Sequence, residues 1–301
     1  MQTTAPLGAL AATLIAASGA AADVRVATDI APVQSLVAMV AGTTPEVLVR
    51  PGVSPHDAAL RPSDARALET ADVVVWVGPD LTPGLERAIG SLAGDAMVVT
   101  LMPDDADGAA EDAHDDEDHA EHEEGEHDHS AMAHGWLDPA TAAEWLGAIA
   151  DALAAADPGA ETDYRARADA ARTALFAITE DARAELADGG PVYIAAHDAL
   201  APFEARFGLT PMTPIATGDA APPSAARMMD LQSATAGRPV DCVLDDGGLN
   251  PGLVEAIFPD GAPPIVAVDL LGAGLEPGPD LYPQLMRGLL DAMDACRKAN
   301  E

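Results

Sequence analysis

Residues 72–77 read DVVVWV, an apolar run that starts at Asp72, and residues 264–268 show the same character as PIVAV. A strand with one side in water alternates apolar and polar residues, whereas a parallel strand covered on both faces is apolar at consecutive positions. These two runs therefore predict strands of parallel sheets that are covered on both faces.

Short β-branched runs of this kind alternate with Ala-rich stretches of helical character along the chain. Further strands are predicted at residues 24–27, 47–49, 97–99, 192–195 and 240–244. Helical patterns lie between them, for example at 63–70, 140–155 and 281–295. This alternation predicts an α/β protein whose sheets are mostly parallel and flanked by helices.

The length of 301 residues suits two domains. Residues 161–187 read as one long helix with no strand nearby, and turn-forming Pro and Gly residues bound them on both sides. We interpret this helix as the connection between two lobes. The predicted organisation is an N-terminal α/β lobe at 23–158, a linker helix at 159–188 and a C-terminal α/β lobe at 189–301.

Residues 1–22 have the features of a secretory signal peptide. They carry no charged side chain, residues 7–17 form an apolar run too short to cross a bilayer, and Ala20 to Ala22 are small enough for a cleavage site. We expect export and a mature chain that starts at Asp23. The alternative is a disordered or helical N-terminus.

The charge balance restricts the partners of the chain. Fifty acidic residues against fifteen basic ones give a formal net charge of −35. Nucleic acids and anionic membrane surfaces repel such a polyanion, whereas a metal ion is attracted. We expect no nucleic-acid partner, and we expect a monomer.

The two cysteines, Cys242 and Cys296, both lie near the C-terminus. An even number of cysteines in an exported protein suggests a disulfide, and two buried free thiols are the alternative. Their spacing fits neither a redox motif nor a zinc ribbon.

The segment 104–130 differs in composition from the rest of the chain. Its first 26 residues contain fourteen acidic residues and five histidines, but no basic and no large apolar residue. Burial cannot offset the ordering entropy of such a segment, so we predict a disordered loop in the first lobe. It is either a low-affinity zinc collector or a solvated acidic tether. Its histidines are His114, His119, His122, His127 and His129.

Three histidines remain for the folded body. His56 lies in a turn-rich link, His134 directly precedes a predicted helix, and His197 follows the run PVYIAA at a strand end. Asp269 follows PIVAV in the same way. Ligands of open α/β sheets bind at the carboxyl ends of strands, and three imidazoles with one carboxylate suit Zn²⁺. Taken singly, each of these residues could equally be a cap or a surface residue.

Several motifs resemble the cluster A-I family of periplasmic metal-binding proteins, and closely its ZnuA-like zinc-uptake members. They are SPHDAALRPSDARALETADVVVWVGPDLTPGLE at 54–86, followed in order by HGWLDP, AAHDALAPFEARFGL and CVLDDGGLNPGLVEAI. The resemblance covers essentially the whole mature chain. It implies two α/β lobes bridged by a long helix, a periplasmic location, and capture of Zn²⁺ for the membrane permease of an ATP-driven ABC importer.

The resemblance also implies roles for individual residues. The metal ligands of the family fall on His56, His134 and His197, with Asp269 as the fourth. Manganese-binding relatives typically have Glu at the third position, so His197 favours zinc. Cys242 and Cys296 fall where the zinc-type members carry a disulfide, and a loop rich in His and acids is also a zinc-type feature.

The chain departs from the family pattern at two places. Asp245-Asp246-Gly247-Gly248 stands where relatives often have Glu-Pro-Gln, which puts a contact from that loop to the metal site in doubt. Leu270 follows Asp269 where Pro is usual, so water could replace Asp269 as the fourth ligand.

Other functions compete with zinc uptake. Three protein ligands and a water molecule would also suit a secreted zinc hydrolase, but the chain has no HExxH and no GxSxG motif. A Mn²⁺-binding importer component, or a zinc-buffering or adhesion protein without an importer, is a further alternative.

Overall fold

The computed structural model describes residues 24–103, 133–216 and 223–299. The predicted signal peptide at 1–22 and the predicted acidic loop at 104–130, with its five histidines, lie outside the described residues. In the described part of the chain, no helix combines the length and the apolar character needed to cross a membrane.

The first sheet has four strands that pair in parallel in the order β2-β1-β3-β4. Strand β3 has a neighbour on each side, and all of its residues are buried, as the run DVVVWV predicts. The strands are β1 (Val26–Thr28), β2 (Glu46–Val47), β3 (Val73–Trp76) and β4 (Met97–Thr100).

The second sheet has three strands, also parallel, in the order β5-β6-β7. Every predicted strand corresponds to an observed one, with ends that agree to within two residues. The strands are β5 (Tyr193–Ala195), β6 (Cys242–Asp245) and β7 (Ile265–Ala267).

The prediction that PIVAV is covered on both faces is wrong. Strand β7 lies at the edge of its sheet, and Ile265 is 41% exposed. An apolar run identifies a strand, but it does not tell how many layers cover that strand.

Helices flank both sheets, so the predicted α/β class with parallel sheets is confirmed. In chain order they are α1 (Ala31–Ala41), α2 (Pro62–Thr70), α3 (Pro83–Leu92), α4 (Pro139–Ala156), α5 (Glu161–Glu185), α6 (Ala201–Phe207), α7 (Ala225–Thr235), α8 (Pro251–Ile257) and α9 (Leu281–Lys298).

Helix α5 is the long helix between the two sheets and has 25 residues. Its buried positions, among them Tyr164, Ala168, Ala171 and Leu175, recur every three or four residues and form one apolar stripe. The helix packs against α4 and α1. It also contacts α9, so both halves of the chain hold the connecting helix.

The apolar core runs continuously between the two sheets. One cluster of buried side chains contains residues of β1 and β3, and also Tyr193 and Ala195 of β5. Ile194, which points to the opposite face of the same strand, belongs to a second, smaller cluster beneath α7 and α8. One face of the second sheet thus contributes to the core that the first sheet also uses.

Helix α9 closes this core and is covalently attached to it. Cys296 near the end of α9 forms a disulfide with Cys242 at the start of β6, and their Cα atoms are 5.3 Å apart. The prediction of a Cys242–Cys296 disulfide is confirmed. The bond secures the C-terminal helix to the central strand of the second sheet.

Replacing both cysteines, in the variant Cys242→Ala/Cys296→Ala, should lower the free energy of unfolding by about 4 kcal/mol. The reason is that the bond closes a loop with a sequence separation of 54 residues and thereby restricts the unfolded chain. Urea unfolding of both proteins measures the difference. Reduced wild-type protein is the matched control, and equal stability of the oxidised and reduced wild type would contradict the prediction.

Candidate metal centre

The three histidines of the folded body each lie in a short turn that precedes a helix. His56 is in the 3-10 turn Pro55–Asp57 before α2, and His134 precedes the 3-10 turn Gly135–Leu137 before α4. His197 follows β5 and precedes the 3-10 turn Asp198–Leu200. Such turns at the ends of strands and the starts of helices direct side chains into the crevice of an α/β fold.

The fold brings the three imidazole rings side by side, with His134 in the middle. The ring centroid of His134 lies 5.5 Å from that of His56 and 5.4 Å from that of His197. Two imidazoles bound to one tetrahedral zinc ion at ~2.0–2.1 Å have ring centroids about 5 Å apart. The spacing of both ring pairs therefore suits a shared metal ion.

The cluster of His56, His134 and His197, the candidate metal centre, is largely shielded from water. His134 is 4% exposed and His197 is 8% exposed, while His56 is half-buried. The Nε2 atoms of His56 and His197 are buried and make no hydrogen bond, although both residues have other contacts. Imidazole nitrogens in this environment have the chemistry of metal ligands.

No three His, Cys, Asp or Glu side chains within the described ranges already stand in an arrangement that holds a metal ion. The rings are adjacent, but their donor atoms do not yet converge. A shared metal ion would need only a local approach of these donor atoms, since the fold already brings the three segments together.

Asp246 contacts His197. It lies in the loop whose contact with the site the departure from the family pattern put in doubt. Its Oδ2 atom lies 2.8 Å from Nδ1 of His197. The register of the sheet explains the contact, because Ala195 of β5 pairs with Leu244 of β6. His197 and Asp246 each follow their paired residue by two positions. The strand assignment together with this pairing was the signal that could have identified Asp246.

Asp269 follows β7, and its carboxylate faces its own loop. Oδ1 accepts hydrogen bonds from the backbone N–H groups of Leu271 and Ala273, at 3.2 and 3.0 Å, and Oδ2 accepts one from Gly274 at 3.0 Å. A carboxylate oxygen has two lone pairs, so these bonds leave capacity for a metal. The role of Asp269 as a ligand stays a prediction.

The indole ring of Trp136 packs against the imidazole of His134. Its buried ring lies 5.2 Å from the imidazole of His134, centroid to centroid. Its Nε1 donates to the carbonyl of Leu270 at 2.8 Å, and its own carbonyl accepts from the hydroxyl of Tyr282 at 2.7 Å. The segment that carries His134 is therefore tied to the loop that carries Asp269.

A second link joins the segments of His134 and His197. Asp138 caps α4 by accepting from the backbone N–H of Ala140, and Arg206 of α6 donates to both of its carboxylate oxygens, at 2.7 and 2.6 Å. Burial pushes the pKa of Asp138 upwards, but the hydrogen bonds from Arg206, Ala140 and Thr141 outweigh it and hold the pKa below 3.8. Neither Asp138 nor Arg206 is among the site residues predicted from the sequence.

Comparison with known proteins gives a consistent result. The profile of the ZnuA family, described as zinc-uptake complex component A, periplasmic, matches residues 26–296. The high-affinity zinc uptake system protein ZnuA of Paracoccus denitrificans is 36% identical over 92% of this chain and 92% of its own length.

Solved structures share the fold. The periplasmic zinc-binding protein TroA of Treponema pallidum has a TM-score of 0.74 at 20% identity, covering 91% of this chain and 99% of its own. The solute-binding protein FpvC of Pseudomonas aeruginosa, solved in complex with Mn²⁺, has a TM-score of 0.71 at 20% identity, covering 93% of this chain and all of its own.

Arg206→Ala should lower the free energy of unfolding by about 2 kcal/mol, because it leaves the carboxylate of Asp138 buried without its charged partner. The cost is below that of a fully buried pair because Arg206 is 36% exposed. Arg206→Lys, which keeps the charge but not the two parallel hydrogen bonds, is the control and should lose less.

The stability that Arg206→Ala loses should depend on pH in a definite direction. The folded pKa of Asp138 is lowered, so its stabilisation is present above the ordinary pKa of 3.8 and disappears as the pH falls through the folded value. Urea unfolding at a series of pH values should show the difference between wild type and Arg206→Ala shrinking below about pH 4. A difference that does not depend on pH would contradict this account.

Proposed function

The chain belongs to the ZnuA family of periplasmic zinc-uptake components, and on this premise we propose that it captures Zn²⁺ with His56, His134 and His197 and delivers the ion to the permease of an ATP-driven ABC importer. The observation that carries the proposal is the adjacency of the three imidazole rings. Membership of this family identifies a binding protein and not an enzyme, so the hydrolase alternative is set aside.

The chemistry of the three donors supports zinc as the cargo. Neutral imidazoles bind Zn²⁺ at neutral pH without a costly deprotonation, and zinc prefers few nitrogen or sulfur ligands in tetrahedral geometry. Mn²⁺ prefers oxygen ligands in larger number. A centre with three imidazole nitrogens therefore favours zinc.

Manganese is the second candidate cargo. FpvC, which shares the fold, is described as a complex with Mn²⁺. A centre that recruits the carboxylates of Asp246 and Asp269 in addition to the imidazoles would offer more oxygen donors. Competition between the two metals therefore belongs in any titration.

The fourth ligand of the proposed site is Asp269 or water. The backbone hydrogen bonds to Asp269 orient its carboxylate. If Asp269 binds the ion, its charge offsets one of the two positive charges of zinc in a shielded site. A water ligand would leave the ion easier to release.

The proposed route to the site is electrostatic, and the proposed location is the periplasm. A net charge of −35 attracts cations and raises their concentration near the surface. We propose that residues 1–22 direct export, that residues 104–130 collect zinc weakly, and that the mature protein is a monomer organised in the two lobes given above.

Release of the ion requires movement at the crevice. The hydrogen bonds of Trp136 with Leu270 and Tyr282 tie the two halves together close to His134. We infer that the permease frees the ion by displacing the loops that carry the ligands and not by a wide opening of the two halves.

His134→Ala should weaken tight Zn²⁺ binding by orders of magnitude, because this ring lies between the other two. His56→Ala and His197→Ala should do the same. Zinc titration against a strong chelator, with Mn²⁺ as competitor, measures the affinity. His127→Ala, which removes a histidine of the acidic segment, is the matched control and should leave the tight site intact. Unchanged tight binding in any of the first three variants would remove that residue from the centre.

Deletion of residues 104–130 should leave one tight site and lower the total number of zinc ions bound. The five histidines and the acidic residues of the segment can coordinate zinc loosely, whereas the three histidines of the centre are retained. Titration calorimetry on the deletion variant and the intact protein counts the sites. An unchanged count would favour the solvated tether.

A further inference from the structure

We propose that Asp246 is a positioning residue that holds the imidazole of His197 in the tautomer and orientation needed for metal capture. The inference rests on the proposed function, because it assigns a role to the partner of a proposed ligand. It assigns Asp246 to a site whose contact with this loop was put in doubt by the departure of the loop from the family pattern.

The first support is the contact itself. Oδ2 of Asp246 lies 2.8 Å from Nδ1 of His197, and the two side chains are 20% and 9% exposed. A carboxylate can only accept a hydrogen bond, so Nδ1 must carry the proton that joins them. The lone pair of the neutral ring then lies on Nε2, which is the atom available to a metal.

The second support is the way the loop is built. Oδ1 of Asp245 accepts hydrogen bonds from the backbone N–H groups of Gly247, Gly248 and Leu249, at 2.9, 3.2 and 3.0 Å. Gly247 has φ of 110°, a conformation that residues with a side chain rarely adopt. Asp245 thus shapes the turn, and Asp246 is left to face His197.

The third support is the pairing of strands. Strands β5 and β6 are neighbours, and Tyr193, Ile194 and Ala195 pair with Cys242, Val243 and Leu244. The backbone N–H of Ala196 also donates to the carbonyl of Leu244 at 3.0 Å. His197 and Asp246 are therefore held level by the sheet, and the contact between them does not depend on a long side chain.

The consequence is stronger metal binding. A carboxylate that accepts the second N–H of a ligating histidine restrains ring rotation and raises the basicity of the ligating nitrogen, and its loss typically costs ~10–100-fold in metal affinity. The negative charge of Asp246 also offsets part of the charge of the ion. Both effects act through His197, without direct contact between Asp246 and the metal.

The first experiment compares zinc affinities by chelator competition. Asp246→Ala should bind Zn²⁺ about 10–100-fold more weakly than wild type. Asp246→Asn should lose less, because its carbonyl oxygen still accepts from Nδ1. Asp260→Ala, which removes one exposed charge from the same half of the chain, is the matched control and should bind as wild type does. Equal affinities of Asp246→Ala and wild type would overturn the proposal.

The second experiment reads the tautomer of His197 in the metal-free protein. Long-range ¹⁵N–¹H NMR at a pH where the ring is neutral should show the proton on Nδ1 in wild type and in Asp246→Asn, and a loss of this preference in Asp246→Ala. A proton on Nε2 in wild type would overturn the proposal. If Asp246→Ala does not fold, the spectra of wild type and Asp246→Asn still show whether Nδ1 of His197 carries the proton.

The two experiments separate this inference from the proposed function. Absence of a tight zinc site in wild type would refute the proposed function, whereas the tautomer would still report the pairing of Asp246 with His197. A tight site that is indifferent to both Asp246 variants would refute only the positioning role.

Discussion

Trp136 is buried where the two halves of the chain meet, and its indole N–H and its carbonyl are both hydrogen-bonded there. Its indole N–H donates to the carbonyl of Leu270, 134 residues further along the chain, and its carbonyl accepts from Tyr282. A buried polar group that loses its partner costs about 1–3 kcal/mol, so a shift of one half against the other would break both bonds at a high cost. The backbone N–H of Tyr282 in turn donates to Ser35 of α1.

The candidate metal centre depends on this junction because its three histidines come from both halves. His56 and His134 belong to the first half and His197 to the second. The ring centroid of His134 is nevertheless almost equally far from those of His56 and His197, at 5.5 and 5.4 Å. The pair Asp138–Arg206 links the same segments, since Asp138 follows His134 by four residues and Arg206 follows His197 by nine. The fold therefore preorganises the placement of the three rings.

The acidic surface and the shielded histidines would act on metal ions in different ways. The large excess of acidic residues attracts any cation and discriminates little between metals. The proposed selection of zinc rests on the shielded imidazoles, because zinc favours few nitrogen ligands in tetrahedral geometry whereas manganese favours oxygen ligands.

Local patterns in the sequence determined the class of fold and the residue types of the site. Apolar β-branched runs identified the strands, and flanking Pro and Gly turns marked the ends of the long helix. The three histidines were identified by their places in a turn-rich link, directly before a helix and at a strand end. These features depend on neighbours along the chain. Tertiary structure alone decided that β7 lies at an edge, that Asp246 faces His197, and that Arg206 pairs with Asp138. Those contacts join residues 49 and 68 positions apart, and they follow from strand order and helix packing, which no local pattern records.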